Sequence, residues 1–191
     1  FCAAFMSSAY AQLSGTYTID NTAATSGTNF ATWLAFRNSI TTNGVSGAVT
    51  VNVMTDNTET AQINFGAITG SSSTNTVTIN GNNKILSVGV SDAVILLSGA
   101  DYFTFDKVVV RNTSTSQYVQ GYRLFNGSDY NTISNGIIEF TSLTSATTSG
   151  GAYVAFSNSS TSMTATSSTG HGNFCTISGN LMRTTNTNSP G

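Results

Sequence analysis

Three stretches of this sequence align without gaps: DYFTFDKVVV at residues 101–110, DYNTISNGII at residues 129–138 and NFCTISGNLM at residues 173–182. In each stretch an Asp or Asn precedes an aromatic residue, a Thr follows two residues later, and an apolar residue comes next. An apolar pair then closes the unit. Such self-similarity is typical of a solenoid, in which each repeat stacks on its neighbour, whereas a sandwich need not repeat its units.

The spacing of the three units sets the length of one turn. Their first residues, Asp101, Asp129 and Asn173, lie 28 and then 44 residues apart. The first spacing fits one coil, and the second fits either two coils or one coil with a long insertion. Polar tracts at residues 141–151 and 157–172 would supply that extra length as loops on one face. We therefore expect three threonines to stack in register, with the apolar residues that follow them in the interior: Thr104, Thr132 and Thr176, followed by Phe105, Ile133 and Ile177.

Beyond Gly47 the chain, including the three repeat units, is a succession of short strand candidates separated by polar or glycine-containing breaks. They span residues 49–54, 61–65, 76–80, 84–90, 93–97, 102–110, 118–125, 131–140, 152–156 and 174–182. Closely spaced strands without intervening helices exclude a doubly wound α/β fold and leave a sandwich, a barrel or a solenoid. Because the units repeat, we predict an all-β fold, a right-handed parallel β-helix (β-solenoid) with an N-terminal capping α-helix.

That helix is predicted near the start of the chain, after an opening strand at residues 13–20. Over residues 29–43, Phe30, Trp33, Leu34 and Ile40 fall on one helical face. Ser26 or Thr28 could cap the helix start, and Asn43-Gly44 supplies a stop.

Charge is scarce in this protein. The chain has 6 Lys+Arg and 8 Asp+Glu, 7% charged residues and a net charge of −2. The cations are scattered, so no basic stripe could neutralise several phosphates, and we expect no nucleic-acid partner.

The N-terminal residues indicate export. Residues 1–11 are small, apolar and uncharged and end in an Ala-x-Ala pattern, which predicts a signal-peptide remnant followed by a single β-helix domain at residues 12–191. No later apolar run approaches the ~20 residues needed to cross a bilayer. Of the two cysteines, Cys2 lies in the remnant and could be removed or lipidated, which leaves Cys175 without an internal disulfide partner. We predict a secreted or cell-surface protein.

The N-terminal segments and the later units together resemble a known family. LSGTYTID, NFATWLAFRNSITTNGVSG, AVTVNV and INFGAITGSSSTNTVTINGNN, with the three repeat units, cover most of residues 13–183. They resemble the parallel β-helix surface proteins of Bacteroidota, with the pectate-lyase-like fold. The resemblance implies a helix-capped right-handed β-helix exported across both membranes, often within a longer chain that carries a C-terminal sorting domain. No sorting domain is visible up to Gly191, so the chain could be the N-terminal part of a longer protein and its export route stays open.

A catalytic constellation is not evident. Asp101 and Asp129 could stack on adjacent coils and form a charged patch with Asp106, Lys107 or Arg123, although Asp and Asn also suit such turns through backbone hydrogen bonding alone. The acids form no Asp-Asp or Asp-x-Asp pair. We therefore assign no catalytic, metal-binding or cofactor-binding residue and expect no cofactor.

The single histidine, Cys175 and three tyrosines are the remaining candidate site residues. His171 has no second histidine at metal-ligand spacing, and Cys175 has no visible base to activate it, so we interpret both as structural. A carbohydrate-binding surface formed by Tyr118, Tyr122 and Tyr130 with Arg123 is an alternative to ordinary strand tyrosines.

Three functions remain open. The first is an extracellular non-catalytic module for adhesion, surface structure or glycan contact, with a polysaccharide or cell-surface glycan as partner and self-association through the solenoid ends. The second is a polysaccharide lyase or glycoside hydrolase, by fold analogy. The third is ice binding through Thr-x-Thr ladders, which occur at residues 16–18 and 76–78 without recurring at coil spacing.

Overall fold

The computed structural model describes residues 11–143, 151–158, 167 and 169–185. The predicted signal-peptide remnant therefore lies outside the described residues, apart from Ala11. The described chain forms these elements in order: β1 (Leu13–Ile19), β2 (Asn29–Phe30), α1 (Trp33–Asn43), β3 (Val45–Val53), β4 (Asn57–Glu59), β5 (Ile63–Gly66), β6 (Val77–Asn80), β7 (Ile85–Val88), β8 (Ala93–Ser98), β9 (Phe103–Asp106), β10 (Val109–Asn112), β11 (Gln120–Phe125), β12 (Thr132–Ser134), β13 (Ile137–Phe140), β14 (Ala152–Phe156), β15 (Thr176–Ser178) and β16 (Leu181–Thr184).

The strands form three parallel sheets. Sheet 1 has the order β15-β12-β9-β6-β3-β1-β2, sheet 2 the order β16-β13-β10-β7-β4, and sheet 3 the order β14-β11-β8-β5. From β3 to β14 each turn of the chain adds one strand to each sheet, and the fold is a parallel β-solenoid of about 5 turns. The predicted solenoid is confirmed.

The predicted register of the three repeat units is also confirmed. Thr104 pairs with Thr132, which in turn pairs with Thr176. Phe105 and Ile133 are buried one above the other in the interior, and Ile177 lies next in that column, half-buried. Because β12 pairs directly with β15, the 44-residue spacing is a single turn with insertions rather than two turns.

Those insertions connect β13 to β14 and β14 to β15. The first connection joins sheet 2 to sheet 3, and the second joins sheet 3 to sheet 1. Most of the two predicted loops, residues 144–150, 159–166 and 168, lies outside the described residues.

The three longest strand candidates, one of which is residues 174–182 (β15 and β16), divide at a sharp corner. Residues 102–110 become β9 and β10, and residues 131–140 become β12 and β13. The corner residues Lys107 and Asn135 have φ of 54° and 55°, and Gly179 holds the same place in the next turn with φ of 65°. A left-handed residue ends the extended chain, so the strand turns from sheet 1 into sheet 2.

The helix is shorter than predicted. It starts at Trp33, because Thr32 caps it by accepting a hydrogen bond from the Ala35 amide, and neither Ser26 nor Thr28 serves as the cap. Asn29–Phe30 is strand β2 instead. Gly44 ends the helix with φ of 69°, as the sequence predicted.

Helix α1 closes the N-terminal end of the core. It packs against β5, β1, β2 and β4, which include the first strands of sheets 2 and 3. Trp33, Phe36 and Ile40 are fully buried there. The buried Glu59 carboxylate accepts a hydrogen bond of 2.7 Å from the Trp33 amide at the positive end of the helix. Burial raises the pKa of Glu59.

Candidate ligand-contacting face

The outer face of sheet 1 carries a continuous column of threonines. Successive strand pairs place one threonine on each of six adjacent strands: Thr16, Thr50, Thr78, Thr104, Thr132 and Thr176. The alternating neighbours point inward and form the core, which leaves each threonine half-buried or exposed. Among the residues that the structure describes, none of the six hydroxyls has a hydrogen-bond partner. The column therefore offers donors and acceptors to solvent or to a ligand.

A second polar column runs beside the threonines, two residues further along each strand. It consists of Thr18, Asn52, Asn80, Asp106, Ser134 and Ser178. Its members hydrogen-bond to one another across turns: Asn80 Nδ2 donates to Asn52 Oδ1 at 3.0 Å, and Ser134 Oγ donates to Asp106 Oδ1 at 3.0 Å. A hydrogen bond from Asn135 is the largest cause of the lowered pKa of Asp106. These side chains mainly tie neighbouring turns together.

An aromatic column stands where the chain enters β9, β12 and β15. The rings of Tyr102 and Tyr130 stack with centroids 5.0 Å apart and an interplanar angle of 1°. Phe174 continues the stack at 4.9 Å and 8°. Tyr130 is 47% exposed and Phe174 is 75% exposed. The parallel rings cover each other's faces, so the column presents ring edges along its length and one open ring face at Phe174.

The backbone of these aromatic residues is unusual. Tyr102, Tyr130 and Phe174 have φ of 62°, 57° and 53°. Bulky residues rarely adopt the left-handed region, and such conformations persist only where the surroundings impose them. Stacking between turns supplies part of that constraint here.

The acidic residues proposed for a charged patch have structural partners. Asp101 and Asp129 do lie on adjacent turns: Asp101 Oδ1 accepts from the Asp129 amide at 2.7 Å. Asp129 Oδ1 accepts from the Asn173 amide at 2.7 Å. Burial is the main cause of the raised pKa of Asp101. An acceptor side chain is favoured at this position because Asp101 and Asp129 each bond to the backbone of the next turn.

The other members of that patch lie elsewhere. Asp106 and Lys107 stand at the far end of β9, where their charges are 3.9 Å apart. Arg123 lies on β11 in sheet 3, and its Nη1 is 3.4 Å from Asp92 Oδ1. The structure does not bring Arg123 together with Asp101 and Asp129.

The tyrosine set predicted for carbohydrate does not form one surface. Tyr122 is buried inside the solenoid, 5.4 Å from the ring of Phe105, and burial raises its pKa. Tyr118 is exposed in the connection before β11, and Tyr130 belongs to the aromatic column. The aromatic residues at the aligned position of the repeat, Tyr102, Tyr130 and Phe174, are the ones that form a common surface, because equivalent positions of a solenoid become neighbours.

His171 and Cys175 both lie next to backbone carbonyls. His171 Nδ1 lies 3.4 Å from the Gly172 carbonyl. The Cys175 thiol donates to the carbonyls of Ser128 and Asn173, both at 3.4 Å, and burial raises its pKa. A raised pKa leaves little of the reactive thiolate at neutral pH. The described part of the chain contains no group of three His, Cys, Asp or Glu residues placed to hold a metal ion.

Sheet 2 carries a column of ion pairs, here called the ionic column, that was not predicted from the sequence. The Glu139 carboxylate is 1% exposed and lies between Arg111 of the preceding turn and Arg183 of the following one. Arg111 Nε is 2.7 Å from Oε1, and Arg183 Nη2 is 2.7 Å from Oε2. Burial opposes ionisation of Glu139, but hydrogen bonds from Arg183 and Arg111 outweigh it and hold the pKa below its usual value. The ionic column therefore links three successive turns of the solenoid.

Comparisons with protein-family models, with curated proteins and with solved structures found no match to this chain. Among the residues that the structure describes, no helix has the length and hydropathy required of a membrane span.

Proposed function

We propose that this chain is a non-catalytic extracellular module whose outer face on sheet 1 contacts an extended, uncharged polysaccharide. The contacting surface, here called the threonine face, consists of the six-threonine column and the adjoining aromatic column of Tyr102, Tyr130 and Phe174. The observation that carries the proposal is the in-register column of six hydroxyls without hydrogen-bond partners in the described protein.

The chemistry of the threonine face suits a sugar polymer. Each threonine hydroxyl both donates and accepts a hydrogen bond, and successive strands repeat this group every ~4.8 Å. A polysaccharide likewise repeats its hydroxyls along its length. The aromatic column adds the open ring face of Phe174, on which the C–H groups of a sugar ring can pack.

The charge of the threonine face favours a neutral polymer over an acidic one. The threonine face itself contains no charged residue, and Asp106, the one charged residue of the second polar column beside it, lies 3.9 Å from Lys107. No excess of cations is present there to attract phosphate, sulfate or uronate groups. Binding would depend on many weak hydrogen bonds, which a long ligand supplies.

The extracellular location rests on the sequence. The apolar N-terminal segment with its Ala-x-Ala pattern and the low content of charge support export. The resemblance to Bacteroidota β-helix surface proteins supports the same location and remains part of the proposal.

Binding assays with matched variants test the proposal. Pull-down with insoluble neutral polysaccharides and a glycan array would use wild type and the triple variant Thr78→Val, Thr104→Val, Thr132→Val. Valine keeps the β-branched shape and removes only the hydroxyls. At ~1 kcal/mol for each lost hydrogen bond, affinity should fall by roughly 100-fold. The control variant Thr41→Val, Thr58→Val, Thr113→Val removes exposed hydroxyls from other surfaces and should bind normally. Failure of wild type to bind any polymer, or equal binding by both variants, would refute the proposal.

The threonine column also favours a second candidate, ice binding. The full Thr-x-Thr pattern of residues 16–18 does not recur at coil spacing, since Thr18 is the single threonine of the second polar column. The column of Thr16, however, holds a threonine on all six strands. Thermal hysteresis of a dilute wild-type solution, lost in the triple valine variant, would establish this function, and its absence would exclude it.

The lyase or hydrolase alternative gains no support from the geometry. Asp101 and Asp129, on which it depends, accept hydrogen bonds from the backbone of the next turn. The alternative would be supported if the protein released unsaturated or reducing ends from acidic polysaccharides and lost this activity in Asp101→Ala or Asp129→Ala.

A further inference from the structure

The threonine hydroxyls that lack hydrogen-bond partners in the described protein lie in a single line. They belong to β1, β3, β6, β9, β12 and β15, which are successive strands of sheet 1. Five strand spacings of ~4.8 Å give this line a length of ~24 Å, and it runs across the strands, along the solenoid axis. The hydroxyls offered to a ligand therefore form a one-dimensional array.

This array does not extend sideways along the strands. Two residues further along, most members of the second polar column bond to a side chain of a neighbouring strand: Asn80 to Asn52, Ser134 to Asp106, and Thr18 to Asn29. A polymer that followed one strand would meet one threonine of the column, whereas a polymer that follows the axis meets all six. The position of the hydroxyls favours a chain that lies along the solenoid.

The aromatic column borders half of the line. Its three rings come two residues before the threonines of β9, β12 and β15. The equivalent positions before the threonines of β3 and β6 are the small residues Ala48 and Thr76. Since Tyr130 and Phe174 are large and well exposed, the rings form a ridge beside the later threonines. A ligand that follows the line is confined by this ridge on one side.

We propose, on the basis of the function proposed above, that the ligand is a β-1,4-linked neutral polysaccharide whose single chain lies along the solenoid axis with one sugar per turn. Pyranose rings joined through equatorial bonds at C1 and C4 form a nearly straight ribbon, in which each sugar advances by close to one strand spacing, ~4.8 Å. An α-1,4-linked chain coils instead, so its hydroxyls leave a straight line of threonines after a few sugars.

The identity of the six residues also suits such a ribbon. Successive sugars of a β-1,4-linked chain are turned over relative to one another, so one edge of the ribbon presents two different sets of oxygen groups in alternation. A threonine hydroxyl rotates, and it both donates and accepts hydrogen bonds. One residue type repeated on every strand can therefore bond to both sets.

Calorimetric titration with soluble oligosaccharides of increasing length tests the inference. In a β-1,4-linked glucose or mannose series, affinity should rise roughly fivefold for each added sugar, because each adds one hydrogen bond, and it should stop rising at six sugars. An α-1,4-linked glucose series should gain little beyond its first few sugars.

A variant that shortens the line gives an independent readout. Thr16→Val, Thr50→Val removes the two hydroxyls at the N-terminal end, so the affinity of the β-1,4-linked series should stop rising at four sugars instead of six. Thr41→Val, Thr58→Val removes exposed hydroxyls elsewhere and should leave the limit at six. Circular dichroism should be unchanged in both variants.

The outcomes separate this inference from the proposed function. A rise in affinity that ends at two or three sugars, an equal response to the α-1,4-linked series, or a limit that stays at six in Thr16→Val, Thr50→Val would each overturn the inference. The proposed function would survive these results if insoluble neutral polymers still bound through the threonines in the pull-down. Absence of binding to every oligosaccharide and polymer would overturn both.

Discussion

Asn131 connects two turns through a buried amide, and its replacement by alanine should destabilise the solenoid. The side chain is 1% exposed. Its Oδ1 accepts from the Phe103 amide at 2.9 Å, and its Nδ2 donates to the Ala100 carbonyl at 2.9 Å. In Asn131→Ala both backbone groups lose this partner while they remain inside the protein.

The size of the effect follows from those two groups. Each buried backbone group left without a partner costs about 1–3 kcal/mol, so the free energy of unfolding should fall by roughly 4 kcal/mol. For a chain of this length that corresponds to a decrease in Tm of roughly 8–16 °C. Thermal and urea unfolding followed by circular dichroism would measure both quantities.

A matched control separates burial from the loss of an amide. Asn21→Ala removes an exposed side chain whose Nδ2 donates to the Asp56 carbonyl at 2.7 Å, and it should cost less than ~1 kcal/mol. In Asn131→Ala the Phe103 amide should also exchange its hydrogen faster than in wild type. Equal Tm values for the two variants, or an unchanged exchange rate at Phe103, would refute the reasoning.

Three further predictions concern charge, packing and reactivity. Arg183 and Arg111 lower the pKa of Glu139 below its ordinary value of 4.5. The ionic column therefore stabilises the fold fully at a pH above 4.5, and this stability is lost as the pH falls through the lowered pKa. Urea unfolding should show Glu139→Gln less stable than wild type at neutral pH, with the difference shrinking in acid. Gly121→Ala should lower the free energy of unfolding by about 2 kcal/mol, since its methyl group would overlap the side chain of Ile138 and the carbonyl of Tyr153, whereas Gly66→Ala in the same sheet meets nothing within 4 Å and should be nearly neutral. Cys175 should react with iodoacetamide more slowly at neutral pH than a free thiol of ordinary pKa, because burial raises its pKa, and an equal rate would contradict this.

The repeat units made the register of the later turns predictable. Their gapless alignment implied that Thr104, Thr132 and Thr176 would be neighbours, and strand pairing confirms it. The earlier turns lack the Asp-aromatic-x-Thr pattern, so the sequence did not reveal that Thr16, Thr50 and Thr78 continue the same column. The six strands share a single outward-facing residue, the threonine. One shared residue per strand is too weak a pattern for aligning the earlier turns from the sequence alone.

Two short elements escaped prediction because they have little apolar pattern of their own. Strand β4, Asn57–Glu59, contains no apolar residue, and its conformation is set by pairing with β7. Strand β2 is two residues long and takes the place of the predicted first helical turn, since it pairs with β1. In both cases tertiary contacts outweighed local preference.

The sequence by itself determined the architecture of this protein, because alternation of apolar and polar residues decides which side chains enter the core, and recurrence of the pattern makes turns stack. Only the tertiary structure decided which surface residues of the earlier turns meet. Turn length varies along the chain, so a constant spacing cannot locate neighbours such as Thr16, Thr50 and Thr78. Contact across turns depends on strand register, and the register is set by the combined packing of all three sheets.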